Sequence, residues 1–276
     1  MLQVARLAPK QLGESRDLVA SFLNSQRAPD GGFCDRAGAS DLYYTVFGLE
    51  ALIALQADPG CEATAAYLRD FGDGESLDLV HTACLARARA AISAPLSATL
   101  LSRIESYRSA DGGYSGTLYA TFLALGAYQD LRKEIPDRDR LLDFVTRCKA
   151  RDGGYANIPG LPAGLTTSTA AAVALQRNLD APLDSTAAEW LLARCGPQGG
   201  FFASAATPLP DLLSTATALH ALTSLHAPLD GVREGCLDFI DTLWSNRGGF
   251  FGSWADDALD CEYTYYALLA LGHLSL

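Results

Sequence analysis

The sequence predicts an all-α protein, a closed α/α toroid (an α6/α6 barrel) of six helical hairpins, and three observations carry that expectation. A Gly-Gly-aromatic triplet recurs at Gly31-Gly32-Phe33, Gly112-Gly113-Tyr114, Gly153-Gly154-Tyr155, Gly199-Gly200-Phe201 and Gly248-Gly249-Phe250, with spacings of 81, 41, 46 and 49 residues. Each triplet follows an amphipathic stretch and precedes a more apolar one, the pattern of a hairpin with one solvated and one buried helix. The last apolar stretch, Tyr263–Leu276, is no more polar than the middle ones. An open stack would need a polar cap there, whereas closure onto the first unit covers it.

Taken in order, Ser15–Gln26 has apolar residues at helical spacing and reads as the first outer helix. The glycines after it suit a sharp turn of positive φ, and the aromatic can plug the gap between hairpins. Asp41-Leu42-Tyr43-Tyr44-Thr45 then opens an inner helix with a residue suited to an N-cap. The double spacing before the next triplet is filled by a degenerate unit at Phe71–Asp78, whose inner helix starts Asp78-Leu79-Val80-His81-Thr82. The outer stretches Ser97–Arg108, Arg138–Lys149, Ser185–Arg194 and Val232–Trp244 follow. Their inner partners begin at Gly116-Thr117-Leu118, Gly164-Leu165-Thr166, Asp211-Leu212-Leu213 and Asp260-Cys261-Glu262.

No Pro/Gly/Ser-rich or charged linker divides the 276 residues, so a single domain over 1–276 is expected. Although 49% of residues are hydrophobic, no run approaches the roughly 20 apolar residues of a membrane span. The N-terminus shows no basic, apolar and small-residue sequence of a secretory signal, and a cytoplasmic location is expected. The seven cysteines (Cys34, Cys61, Cys84, Cys148, Cys195, Cys236 and Cys261) lack Cys-x-x-Cys spacing, which suits free buried thiols better than disulfides or a zinc knot. A net charge of −11 argues against nucleic acid as a partner.

The Asp-Gly-Gly-Phe/Tyr turns, with Asp41-Leu-Tyr-Tyr-Thr-Val-Phe-Gly-Leu49 and Asp260-Cys-Glu-Tyr-Thr-Tyr-Tyr-Ala-Leu-Leu-Ala-Leu271, resemble the repeats of protein prenyltransferase β subunits and, more distantly, of triterpene cyclases. The resemblance spans almost the whole chain. It implies an isoprenoid, as a prenyl diphosphate, in a central cavity, zinc as cofactor, and a helical-repeat α-type subunit as partner. It also implies where the zinc and diphosphate residues should stand. Asp211 matches the zinc aspartate, but Leu213 stands at the cysteine and Tyr263 at the histidine. Leu165 stands near the diphosphate histidine, and Ala205 and Pro208 at the diphosphate arginine and lysine. The cyclase acid motif, Asp-x-Asp-Asp, is absent.

Aligning the inner helices places Tyr44, His81, Tyr119, Ser168, Ser214 and Tyr263 in one column. A second column, three residues on, holds Phe47, Cys84, Phe122, Ala171, Thr217 and Tyr266. The aromatics and His81 are the candidate cavity residues, able to line an isoprenoid or lipid pocket or simply to fill the ring. Asp41, Asp78, Asp211 and Asp260 read as N-caps at one rim. The residues from which a displaced metal site could be assembled are His81, Asp211, Asp260 and Cys261, with His81 two hairpins from Asp260. Asp256-Asp257-Ala258-Leu259-Asp260 reads as a solvated acidic loop. Three functions stay open: isoprenoid binding or transfer, a non-catalytic scaffold or lipid-binding module, and an (α/α)6 glycosidase-like enzyme. The last would be expected to present exposed tryptophan, and Trp190 and Trp244 fall in outer helices.

Overall fold

A computed structural model describes residues 1–276. After two short helices, α1 (Leu2–Ala5) and α2 (Pro9–Leu12), each of six hairpins pairs an outer with an inner helix. These are α3 (Arg16–Ser25) with α4 (Leu42–Ala54), α5 (Cys61–Arg69) with α6 (Leu79–Ala91), and α7 (Ala98–Ser106) with α8 (Leu118–Asp130). The other half of the ring is α9 (Arg138–Arg147) with α10 (Thr166–Asn178), α11 (Thr186–Leu192) with α12 (Leu212–Ser224), and α13 (Asp230–Thr242) with α14 (Cys261–Leu274). Successive inner helices pack side by side, and α14 returns against α4, so the ring is closed. No helix is long and apolar enough to cross a membrane.

The Gly-Gly-aromatic triplet turns out to be a joint between neighbouring hairpins. The first glycine abuts the outer helix of the next unit: Gly31 lies on the backbone of Ala63, Gly112 on that of Arg140, and Gly199 on that of Gly235. Gly248, in the sixth unit, lies on the Leu18 carbonyl of the first, which is how the ring seals. The second glycine carries the ring of an aromatic from that same next helix. Tyr67 lies on Gly32, Phe144 on Gly113, Trp190 on Gly154, Phe239 on Gly200 and Phe22 on Gly249. In the degenerate second unit Gly74 instead has the side chains of Leu77, Leu85 and Leu100 around it, and α7 carries Ile104 where the other outer helices carry the aromatic.

The third member of the triplet faces inward. Phe33, Tyr114, Tyr155, Phe201 and Phe250 are at most 3% exposed. Their backbone N–H groups donate to Thr45, Thr121, Thr169, Thr215 and Thr264 respectively, each four residues after its helix cap. A buried N–H is thereby satisfied without a sheet. Asp41, Asp78, Asp211 and Asp260 each accept a backbone N–H from the first turn of their helix. At α8 the cap is Thr117, and α10 has no side-chain cap; there Thr166 donates to the Phe202 carbonyl at 2.6 Å.

Between the C-terminal halves of α12 and α14, His220 Nδ1 lies 3.0 Å from His273 Nε2, and His273 Nδ1 lies 3.0 Å from Thr223 Oγ1. Burial pushes His273 down to about 4 and His220 to about 2. Both imidazoles are therefore neutral in the folded chain down to about pH 5, whereas in the unfolded chain they protonate near 6.5. Below that pH the unfolded state binds more protons, so stability should fall as pH falls. Between pH 7 and 5 the expected loss for the pair is about 4 kcal/mol. Urea unfolding at pH 7, 6 and 5 should show it, and the His220→Gln/His273→Gln variant should flatten the slope. An equal slope in both proteins would assign the effect to other groups.

Candidate functional site

The inner helices enclose a cavity of about 490 Å³ on the ring axis. Counting from each helix cap, the wall is made by the second residue (Tyr43, Tyr119, Thr167, Leu213) and the sixth (Phe47, Cys84, Leu123, Ala171, Thr217, Tyr266). Further along come the ninth (Glu50, Arg87, Gly126) and the thirteenth (Asp130, Asn178). The eleven steps from the second residue to the thirteenth correspond to about 16 Å of helix. Aromatic rings come from α4, α8 and α14, while α10 and α12 contribute small residues such as Ser168, Ala171 and Thr217. The rings contact one another across the seal. Phe47 lies 4.9 Å from Tyr43, 5.4 Å from Tyr266 and 5.6 Å from Tyr265 in edge or tilted geometry.

Of the residues singled out in the sequence, Phe47, Tyr119, Phe122 and Tyr266 lie on this wall, and Tyr44, His81 and Tyr263 do not. The physical reason is helix phase. Tyr44, His81 and Tyr263 are third after their caps, and each donates its backbone N–H to the capping aspartate. Their side chains are turned away from the axis. The Tyr263 ring lies on Gly252 with the Arg36 guanidinium 5.3 Å from its centroid, and His81 sits between carboxylates. Tyr119 lines the cavity because its cap is Thr117, one residue later than the Gly116 alignment assumed. Tyr43, Glu50, Arg87 and Asp130 were not anticipated. A solitary charge within an apolar inner helix was the available signal for Glu50, whereas Arg87 shares α6 with Arg89.

The rim residues are occupied with one another. His81 Nδ1 lies 2.8 Å from Asp78 Oδ1 and its Nε2 3.4 Å from Asp41 Oδ2, joining two repeats. Arg36 Nε donates to Asp260 at 2.7 Å, and its two Nη groups donate to Asp256 at 3.1 and 2.8 Å. The Asp256–Asp260 segment is thus an arginine clamp across the ring seal rather than a solvated loop, with Asp260 only 2% exposed. Burial would raise Asp256, but the hydrogen bonds from Arg36 and from the Ala258 and Gly252 N–H groups, with the Arg36 charge, together outweigh it and hold the carboxyl below its usual range.

These contacts also test the zinc that the resemblance implies. Asp211 accepts from the Ser214 backbone and hydroxyl, Asp260 is held by Arg36, and Cys261 is fully buried with its thiol pushed up by burial. No three His, Cys, Asp or Glu side chains converge as metal ligands do. Leu213, at the place of the zinc cysteine, is part of the apolar wall. The residues present do not fit a resident zinc ion. Nor does the cavity have tryptophan: Trp190 lies on Gly154, Trp244 stacks 5.0 Å from Phe250, and Trp254 donates to Thr242 on an outer helix.

Two polar groups mark the ends of the cavity. Near the rim, Tyr43 Oη donates to Glu262 Oε1 at 2.6 Å. Burial raises Glu262 to about 7, and the Tyr43 hydrogen bond only partly opposes it. At neutral pH this carboxyl is shared between its acid and base forms and can donate or accept a proton. At the other end Arg87 donates through Nε to Asp130 at 2.7 Å and through Nη1 to Glu50 at 3.1 Å. Burial alone would lower Arg87, and the two carboxylates reverse that and keep it charged. The buried Tyr265 hydroxyl lies beside Glu50 without completing a hydrogen bond. Around the rim, Tyr119, Leu165, Ile158 and Leu161 are 39–44% exposed, an apolar lip between the third and fourth repeats.

The model of the prenyltransferase alpha-alpha toroid domain matches residues 4–85, 80–201 and 168–275. No curated protein matches the sequence. Among solved structures, the type II terpene cyclase MstE from Scytonema superposes with a TM-score of 0.68 at 14% identity, covering 96% of this chain and 97% of that one. A variant of that cyclase in complex with geranylgeranyl dihydroxybenzoate gives 0.66 at 14%, covering 97% of each chain. Candida albicans protein geranylgeranyltransferase-I, complexed with GGPP, gives 0.55 at 16%, covering 97% of this chain and 80% of that one. At such identities the structural likeness is one of fold, and it agrees with the near-complete sequence match: the chain belongs to the prenyltransferase alpha-alpha toroid domain family.

Proposed function

We propose that this protein binds an isoprenoid chain in the central cavity, and that its own cations do not grip a diphosphate there. The observation that carries the reading is the cavity itself, an apolar space of about 490 Å³ walled by Phe47, Tyr119, Phe122 and Tyr266. That volume is within the roughly 300–1,000 Å³ of small-molecule sites. The isoprenoid ligands of the MstE and geranylgeranyltransferase-I complexes, which share the fold, support a chain of that kind as occupant. The rim argues against the diphosphate. Asp41, Asp78, Asp211, Asp260 and Glu262 gather there, and Arg36 is already shared by two carboxylates. Zinc-thiolate prenyl transfer lacks its ligands.

Calorimetry should show geranylgeraniol binding, with no gain for geranylgeranyl diphosphate. Ala171→Trp puts an indole into the small-residue wall and should weaken binding at least tenfold, about 1.4 kcal/mol. Absence of heat with either ligand, or binding indifferent to Ala171→Trp, would sink the reading. In that case the exposed Ile158 and Leu161 favour a second one, an interaction module, in which the lip is a protein contact.

A further inference from the structure

The end of the cavity farthest from the caps holds an arginine that the fold positions and does not saturate. Arg87 lines the cavity, and 37% of its side-chain surface is accessible. Its Nε and Nη1 are committed to Asp130 and Glu50, which leaves Nη2 without a protein acceptor. Nη2 lies over Gly126, where a Cβ would come within 3.2 Å of it. The missing side chain at Gly126 is what keeps that donor open.

A guanidinium clamped by two carboxylates loses little entropy on forming another hydrogen bond, because its plane is already fixed. Its open N–H asks for an oxygen acceptor. The charge of the cluster decides which kind. Glu50 and Asp130 stand against two cations, Arg87 and the Met1 amino group that lines the same cavity, so no surplus positive charge is left for an anionic oxygen, whereas a neutral one meets a fixed donor. A hydrocarbon end would leave Nη2 facing an apolar atom, at the cost of its hydrogen bond to water.

We propose that the ligand of this cavity is an oxygenated isoprenoid, held with a neutral hydroxyl or carbonyl oxygen on Arg87 Nη2 and its hydrocarbon along the aromatic wall. This rests on the isoprenoid reading of the cavity and adds to it the chemistry and orientation of the ligand. The rim end, with Glu262 and Tyr43, then faces the opposite end of the chain.

The test compares three ligands of equal chain length by calorimetry on the intact protein: geranylgeraniol, the corresponding hydrocarbon, and geranylgeranyl diphosphate. The alcohol should bind about tenfold tighter than the hydrocarbon, as one added hydrogen bond would give, and no weaker than the diphosphate. Gly126→Ala covers Nη2 while adding a good helix former, and it should bring the alcohol-to-hydrocarbon ratio close to one. Arg87→Lys keeps the charge and removes the fork, and it should lower the same ratio even if it lowers stability. Equal binding of alcohol and hydrocarbon by the wild-type protein, or an unchanged ratio in Gly126→Ala, would overturn the Arg87 assignment and leave the isoprenoid cavity standing. A diphosphate that binds tightest would overturn the preference for a neutral oxygen. If none of the three binds, it is the cavity reading that fails.

Discussion

Gly248→Ala is expected to destabilise the protein by about 3 kcal/mol, because it strikes the joint at which the ring closes. Two effects add. Gly248 has φ of +93°, where an L-residue is strained by about 1–2 kcal/mol. Its new Cβ would also collide with the Leu18 carbonyl, a backbone atom that can move only by shifting α3 from the last hairpin, for another 1–2 kcal/mol. Gly38→Ala separates the two terms, since Gly38 has φ of +86° but open space around its Cβ position. Denaturant unfolding should therefore show Gly248→Ala costing at least twice as much as Gly38→Ala. Equal costs would mean that the Gly248 joint yields freely and that closure rests on the other contacts across the seal, such as α14 with α4 and Arg36 with Asp256 and Asp260.

The second large effect is expected from Arg87→Met, which keeps the length of the side chain and removes its charge. Glu50 and Asp130 have 7% and 14% of their side chains exposed and depend on Arg87 for charge compensation. Removing one partner of such a cluster costs about 3–5 kcal/mol in general. Because Arg87 itself faces the cavity, the lower figure, about 3 kcal/mol, applies here. Neutralising all three together in Arg87→Met/Glu50→Gln/Asp130→Asn should recover most of the loss, since no uncompensated charge is then left inside. If the single variant loses less than about 1 kcal/mol by denaturant titration, water in the cavity is solvating the carboxylates and the cluster has no structural role.

The fold was legible in the chain because its rules are local and repeated. A Gly-Gly pair needs a positive-φ turn, an aspartate before an apolar run becomes a cap, and a period near 45 residues repeats both. Even the threonine four residues after each cap was visible in Asp41–Thr45, Asp78–Thr82 and Asp260–Thr264, although its hydrogen bond to the plugging aromatic was not. The candidate site was legible only in part. Aligning Tyr44, His81 and Tyr263 with Tyr119 mixed two helix phases, and a shift of one residue turns a side chain by 100° about the axis. Phe47 and Tyr266 lie on the cavity wall because a whole turn of the helix shares that face, while Tyr43 took the place expected for Tyr44.

What could be read without three-dimensional information was the architecture, the caps and the loss of the zinc and diphosphate residue types, all of which depend on near neighbours in sequence or on residue identity. Pairings between distant units could not. Arg36 meets Asp260 across 224 positions, Arg87 meets Glu50 across 37 and Asp130 across 43, and Tyr43 meets Glu262 across 219. Closure of the ring and the rotation of each inner helix bring these groups together; burial then weakens the acidity of Glu262, while Glu50 and Asp130 keep Arg87 charged. Those quantities arise from packing between elements, for which no local pattern in the chain is a substitute.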